Sequence, residues 1–247
     1  MQKQKYKVQL FYNASLRTGL NTVTFSKEES THIVRVLRKN IGDTILVTNG
    51  DGLSFSGKLN IVNPKQCVAS IEKETAHKPM PYSLHIAIAP TKRNERFEWF
   101  LEKATEIGIT EITPLICARS ERKIIKAARL KRVLESALKQ SLKYYLPKLN
   151  TLTTLSDFLK AQKSSESNLY IAHCETSVQK QALPSILNST KKHTILIGPE
   201  GDFTPQEIKA AIAANAQEIS LGPSRLRTET AAVLATAMCY HANAHHW

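Results

Sequence analysis

The sequence has no cysteine pair at metal-binding spacing, no nucleotide-binding glycine fingerprint and no apolar stretch long enough to cross a bilayer. Its four cysteines, Cys67, Cys117, Cys174 and Cys239, stand fifty or more residues apart. That spacing argues against a zinc module and a disulfide framework, so all four are expected to be reduced and buried. G-x-G-x-x-G is absent, and no G-K-[ST] follows any glycine-rich turn, which excludes the dinucleotide and phosphate loops. A hydrolase of the G-x-S-x-G type lacks its nucleophile. The longest apolar run, around Ala231–Tyr240, is too short for a membrane span, and the start MQKQKYKVQL carries no apolar targeting core. A cytoplasmic protein without membrane contact is therefore expected. His241, His245 and His246 near the C-terminus have no carboxylate or thiolate beside them to complete a site, so no metal is expected.

What is plentiful is positive charge. The 247 residues carry 34 Lys+Arg against 21 Asp+Glu, a net +13, which favours a polyanionic partner. The excess is localised. Residues 1–79 hold 12 basic and 6 acidic side chains, and residues 119–148 hold 10 and 2, whereas 149–247 balance at 8 and 8. Ten cations offset only by Glu121 and Glu135 suit a surface that meets phosphates better than one that meets only water.

Residues 1–75 read as a small β-rich domain. Val8–Tyr12, Thr44–Thr48, Leu53–Ile61 and Cys67–Ile71 have strand patterns, and Asn49-Gly50-Asp51-Gly52 is a hairpin signal. A short helix is predicted over Ser30–Arg38. Pro79 and Pro81 mark residues 76–82 as a linker. Across 83–247 the period changes: strands at Leu84–Ala89, Glu111–Ile116, Leu169–Ala172, Thr194–Ile197 and Glu218–Leu221 alternate with helices at Asn94–Ile107, Ala127–Tyr145, from Pro205 and over Thr228–His241. Such alternation, with strands apolar throughout, predicts an α/β domain with a mainly parallel sheet covered on both faces.

Gly198, Gly201 and Gly222 all follow predicted strands, where ligands bind in open α/β sheets. Ile197-Gly198-Pro199-Glu200-Gly201-Asp202 is either a tight strand-to-helix turn or a loop that lets a ligand approach the backbone. Glu200 and Asp202 disfavour pyrophosphate and suit a ligand with a cationic centre and hydroxyls, such as the sulfonium and ribose of S-adenosylmethionine. In Leu221-Gly222-Pro223-Ser224-Arg225-Leu226-Arg227-Thr228-Glu229, Thr228 is placed to cap the last helix and Glu229 suits its dipole. Arg225 and Arg227 stand where a helix N-terminus disfavours cations, which points to an anion facing them.

These two loops together resemble the C-terminal motifs of SPOUT-class RNA methyltransferases, most closely the RsmE family, which methylates N3 of a uridine in 16S ribosomal RNA. His32–Arg38, Lys92–Glu98 leading into Ala104–Gly108, and Ala137–Lys143 followed by Pro147 are also similar to that family, so the resemblance runs through nearly the whole chain. Two departures stand out. Asp202 occupies a place where the family often has a second glycine, and Ser224-Arg225 a place where it often has arginine and an aliphatic residue.

The resemblance implies a deep trefoil knot in the C-terminal domain and an N-terminal PUA-like β-barrel that docks RNA. It implies S-adenosylmethionine held by Cys174, Glu175, Ile197, Gly198, Pro199, Glu200, Gly201, Leu221, Gly222, Pro223 and Leu226. A homodimer burying the final helix and a substrate within the small ribosomal subunit are implied as well. Arg227 is then the candidate for stabilising charge on the uridine carbonyl oxygens, and Glu229 the candidate base. Arg35, Arg38, Lys92, Arg119, Arg122, Lys123, Arg129 and Arg132 are the candidate phosphate contacts. Two other readings compete: an inert RNA-binding protein on the same fold, and a nucleotide-dependent oxidoreductase. The first leaves the paired loops unexplained, and the second lacks its fingerprint.

Overall fold

The computed structural model describes residues 9–162, 166–175, 179–187 and 192–243. Val8, His245 and His246 lie outside them. The chain forms two compact units: residues 1–79 with 138–146, and residues 80–137 with 147–247.

The first unit is a five-stranded sheet. β1 (Leu10–Tyr12), β2 (Thr22–Thr24), β3 (Thr44–Thr48), β4 (Leu53–Ile61) and β5 (Val68–Ala76) are ordered β1-β3-β4-β5-β2, antiparallel except for the β1–β3 pair. Its core gathers Phe11, Val23, Phe25, Ile33, Ile45, Val47, Phe55 and Leu59, with Phe11 and Phe25 edge to face at 5.3 Å. The Asn49–Gly52 hairpin forms as the sequence predicts. Gly50 and Gly52 take φ of +75° and +83°, and the Asn49 side-chain oxygen accepts the Asp51 and Leu53 amides.

The hairpin has a second role that local sequence does not reveal. Gly52 N–H donates to the Tyr144 carbonyl and Leu146 N–H to that of Gly50, while Tyr145 Oη donates to the His77 carbonyl. A Cβ on Gly52 would lie 2.2 Å from the Tyr145 hydroxyl oxygen, so only glycine admits this contact. The predicted helix over Ser30–Arg38 differs in position and form. α1 (Lys27–Thr31), capped by Ser26, widens into a π turn over His32–Val36, and the chain leaves through Arg38 at φ +52°. The β-branched Ile33, Val34 and Val36 weaken a regular helix here.

The second unit is built on an eight-stranded parallel sheet. Its strands are β6 (Ser83–Ile88), β7 (Glu111–Ile116), β8 (Lys148–Leu149), β9 (Thr153–Thr154), β10 (Asn168–Ala172), β11 (Gln181–Ala182), β12 (Lys192–Ile197) and β13 (Gln217–Ser220). They run β11-β13-β10-β12-β6-β7-β8, with β9 also on β7, and every pair is parallel. α4 (Leu155–Gln162) and α6 (Pro205–Ala213) cover one face through Phe158, Leu159, Ile208 and Ala211. α2 (Asn94–Ile107) and α7 (Thr228–Ala242) pack together, with α7 against β6 and β12. α3 (Ala127–Gln140) stops five residues earlier than predicted, where Leu142 turns to φ +54°, and α5 (Leu183–Ile186) is a single turn.

β6 and β12 are neighbours whose connections leave in opposite directions, toward β7 and toward β13. Such a reversal is where open α/β sheets bind ligands, outside the C-terminal strand ends.

Candidate active site

Three loops leave the C-terminal ends of β12, β10 and β13, three adjacent strands. The first is residues 198–204. Its exit is steric as well as conformational: a Cβ on Gly198 would lie 3.1 Å from the ring of Phe203, itself buried in the core. Asp202 takes φ +63°, which explains why glycine suits this place. Here aspartate satisfies it through its side chain, with Oδ1 accepting its own Phe203 amide and Oδ2 the Cys174 amide at 2.7 Å. The loop ends where Thr204 and Glu207 form a capping box at α6, with Pro205 in the first turn as the predicted helix start requires.

The Asp202 bond fixes the second loop, residues 173–175. His173 Nε2 pairs with Glu218 Oε1 at 2.8 Å, and Lys180 Nζ donates to the His173 carbonyl. Burial, reinforced by the Lys180 charge, holds the imidazole below its ordinary pKa. Burial and Asp202 push the Cys174 thiol up, so this cysteine, exposed rather than buried as the sequence suggested, is no ready nucleophile.

In the third loop Gly222 turns through φ +121°, and a Cβ there would meet nothing within 4 Å. Ser224, Arg225 and Arg227 are exposed, and Arg225 lies close enough to Cys174 to act on its thiol electrostatically. The start of α7 corrects the predicted cap. Arg227 occupies the cap position without a side-chain bond, and Thr228 is the first helical residue. The Thr228 hydroxyl instead donates to the Gly198 carbonyl at 3.0 Å, joining the third loop to the first. Glu229 is buried, with Oε1 3.6 Å from Arg96 Nε, while its Oε2 has no hydrogen-bond partner among the described residues. An unpaired carboxylate oxygen in such a place is costly unless a ligand or water meets it. Sequence reasoning named Arg96 only as part of a motif, because its partner lies on another helix.

The candidate phosphate contacts divide into two groups. Arg35 and Arg38 in the first unit, and Lys123 and Arg132 in the second, are exposed, and their side chains make no hydrogen bond or ion pair among the described residues. Lys92, Arg119, Arg122 and Arg129 are engaged. Arg129 forks onto Glu98, and Lys92 Nζ pairs with Glu121 at 2.8 Å. Arg119 Nη1 donates to the Gly201 carbonyl, and Arg122 donates to those of Thr91 and Lys92. Glu200, expected to face a cationic ligand, accepts the Lys92 amide at 2.9 Å. Among the described residues no cluster of three metal-ligating side chains occurs, and no helix is long and apolar enough to cross a membrane.

Comparison with known proteins gives a concordant result. An RNA methyltransferase domain family matches residues 78–240, and an RNA methyltransferase PUA domain family matches residues 25–72. The chain is 30% identical to the ribosomal RNA small subunit methyltransferase E of Bacillus subtilis, over 87% of this chain and 88% of that protein. A probable rRNA-methyltransferase from Porphyromonas gingivalis superposes with a TM-score of 0.88 at 36% identity, covering 97% of this chain and 100% of that one. The ribosomal RNA small subunit methyltransferase E from Neisseria gonorrhoeae, solved bound to S-adenosyl methionine, superposes with a TM-score of 0.80 at 26% identity, covering 93% and 95%.

Proposed function

The chain belongs to the ribosomal RNA small subunit methyltransferase E family, and from that premise we propose that it transfers a methyl group from S-adenosylmethionine to N3 of a uridine in 16S ribosomal RNA. The observation that carries this reading is the union of the three loops beside the sheet's reversal point, tied by Asp202 to Cys174 and by Thr228 to Gly198.

The loops fit such a cofactor: a Cβ on Gly222 would meet nothing within 4 Å, and a buried carboxylate oxygen of Glu229 has no partner among the described residues. The backbone of Ile197, Gly198, Pro199, Glu200 and Gly201 would hold it with Cys174, Glu175, Leu221, Gly222, Pro223 and Leu226. When bound, the cofactor supplies an electrophilic methyl group on a cationic sulfur. Uridine N3 is a weak nucleophile until its proton leaves, and pairing hides it, so the substrate must present an exposed or flipped base. Arg227, exposed at the α7 cap, offsets the charge that spreads onto the flanking carbonyl oxygens. Glu229 Oε2 accepts the N3 proton, while Arg96 holds Oε1.

In this reading residues 1–75 are a PUA-like RNA-binding domain, 76–82 a linker and 83–247 the knotted methyltransferase domain, except that residues 138–146 belong with the first unit. The knot reading is supported by β13, which lies beyond β10, and by α7, which returns to β12 and β6. Arg35, Arg38, Lys123 and Arg132 supply phosphate contacts, and the protein works in the cytoplasm on the small ribosomal subunit. A homodimer is supported by Trp99 on α2, a large aromatic side chain 43% exposed.

Mass spectrometry of ribosomal RNA from cells lacking the protein tests the assignment. N3-methyluridine should disappear and return on complementation; an unchanged modification profile contradicts it.

A further inference from the structure

We infer that Arg119 and Arg122 are positioning residues of the cofactor loop and not phosphate contacts. The inference rests on the reading of residues 198–201 as that loop. Arg119 approaches the loop directly. Its Nη1 donates to the Gly201 carbonyl at 2.7 Å, and a Cβ on Gly201 would lie 3.3 Å from both Cβ and Cδ of Arg119, so the aliphatic stem packs on the glycine.

Arg122 acts one step away. Its guanidinium donates from Nε and Nη2 to the successive carbonyls of Thr91 and Lys92, and the Lys92 amide then donates to Glu200 Oε1. Lys92 Nζ also pairs with Glu121, next to Arg122. The segment carrying both arginines is itself anchored. Ser120 Oγ accepts the Cys117 amide, and the Ala118 amide donates to Glu207, the residue that closes the α6 capping box.

The 198–201 loop is thus held at Gly201 by Arg119 and at Glu200 by the Lys92 amide, whose carbonyl Arg122 holds, while Ala118 ties the same basic segment to Glu207 on α6. Glu200 is accordingly a structural acceptor that fixes the loop. A phosphate recruiting either arginine would first have to break bonds that set the loop's shape. The chemistry of the acceptors also separates the two roles. A guanidinium spans two successive carbonyls, whereas an ammonium provides a point charge adequate for a phosphate.

The test uses the full-length protein and its Arg119→Ala, Arg122→Ala and Arg122→Lys variants. Calorimetric titration with S-adenosylmethionine is paired with the salt dependence of binding to a 16S ribosomal RNA fragment. Affinity for S-adenosylmethionine should fall about tenfold or more in Arg122→Ala and in Arg122→Lys alike. The slope of RNA affinity against salt should match that of the unaltered protein. Unchanged cofactor affinity, its rescue by lysine, or an RNA slope reduced by about one per arginine removed overturns the inference. If Arg122→Ala does not fold, Arg119→Ala carries the same comparison. Failure of the unaltered protein to bind S-adenosylmethionine refutes instead the reading of the loop, a result distinct from variants that bind it normally.

Discussion

Thr228 donates its hydroxyl to the carbonyl of Gly198, thirty residues earlier in the chain, at 3.0 Å and out of reach of solvent. This bond joins the first turn of α7 to the loop after β12, so the two motifs that stand apart in sequence behave as one wall. Thr228→Val keeps the shape and removes the donor, leaving a buried carbonyl unsatisfied at a cost of about 1–3 kcal/mol. Denaturant unfolding should report that loss, and affinity for S-adenosylmethionine should weaken with it. A variant unchanged in both would show that the loops are held independently.

Arg227 stands at the α7 cap with an exposed side chain that contributes no capping bond. Arg227→Ala should therefore preserve the unfolding midpoint and cofactor affinity while methyl transfer falls by about 10²-fold or more. Normal transfer by this variant removes Arg227 from the chemistry.

Glu229 separates a base from a helix-terminus residue. Its Oε1 faces Arg96, but its buried Oε2 has no partner, which capping alone leaves unexplained. Glu229→Gln preserves size and removes proton acceptance, so transfer should drop by about 10²-fold or more with cofactor affinity nearly unchanged. Unaltered transfer by this variant assigns Glu229 to structure only.

Three histidines make stability depend on pH. Burial lowers the pKa of His85, His173 and His77 from 6.5, and His85 is held on Thr113 inside the second unit. Below about 6.5 the unfolded chain binds protons that the folded chain resists, so stability is full above that pH and falls as pH drops through the folded values. Melting temperatures between pH 7.5 and 5 should decline, and His85→Gln should flatten the decline; an equal slope in the variant excludes His85 as a source.

Features set by local chemistry were legible in the sequence. Asn49–Gly52 needs positive φ, Phe97, Phe100, Leu101 and Ala104 repeat at helical spacing, and Thr204 with Glu207 is a capping box. Features set by distant partners were not. Arg122 looks like any cation until the strand end at Thr91 is placed beside it, and Glu200 looks like a ligand's counter-charge until it meets the Lys92 amide. Residues 138–146 read as the tail of a basic helix, yet Tyr144, Tyr145 and Leu146 belong to the first unit, where His77 stacks on Tyr144 at 3.5 Å. Short strands such as β8 and β11 carry too few residues for a periodic signal.

Methyl transfer to one ribosomal uridine can be reconstituted from purified components. Purified protein is incubated with isotope-labelled S-adenosylmethionine and small ribosomal subunits that lack the modification, and the 16S ribosomal RNA is digested and examined by mass spectrometry. Label should appear in N3-methyluridine at a single position and fall by about 10²-fold or more with Arg227→Ala. No incorporation, or label in a different nucleoside, would contradict methyl transfer to that uridine.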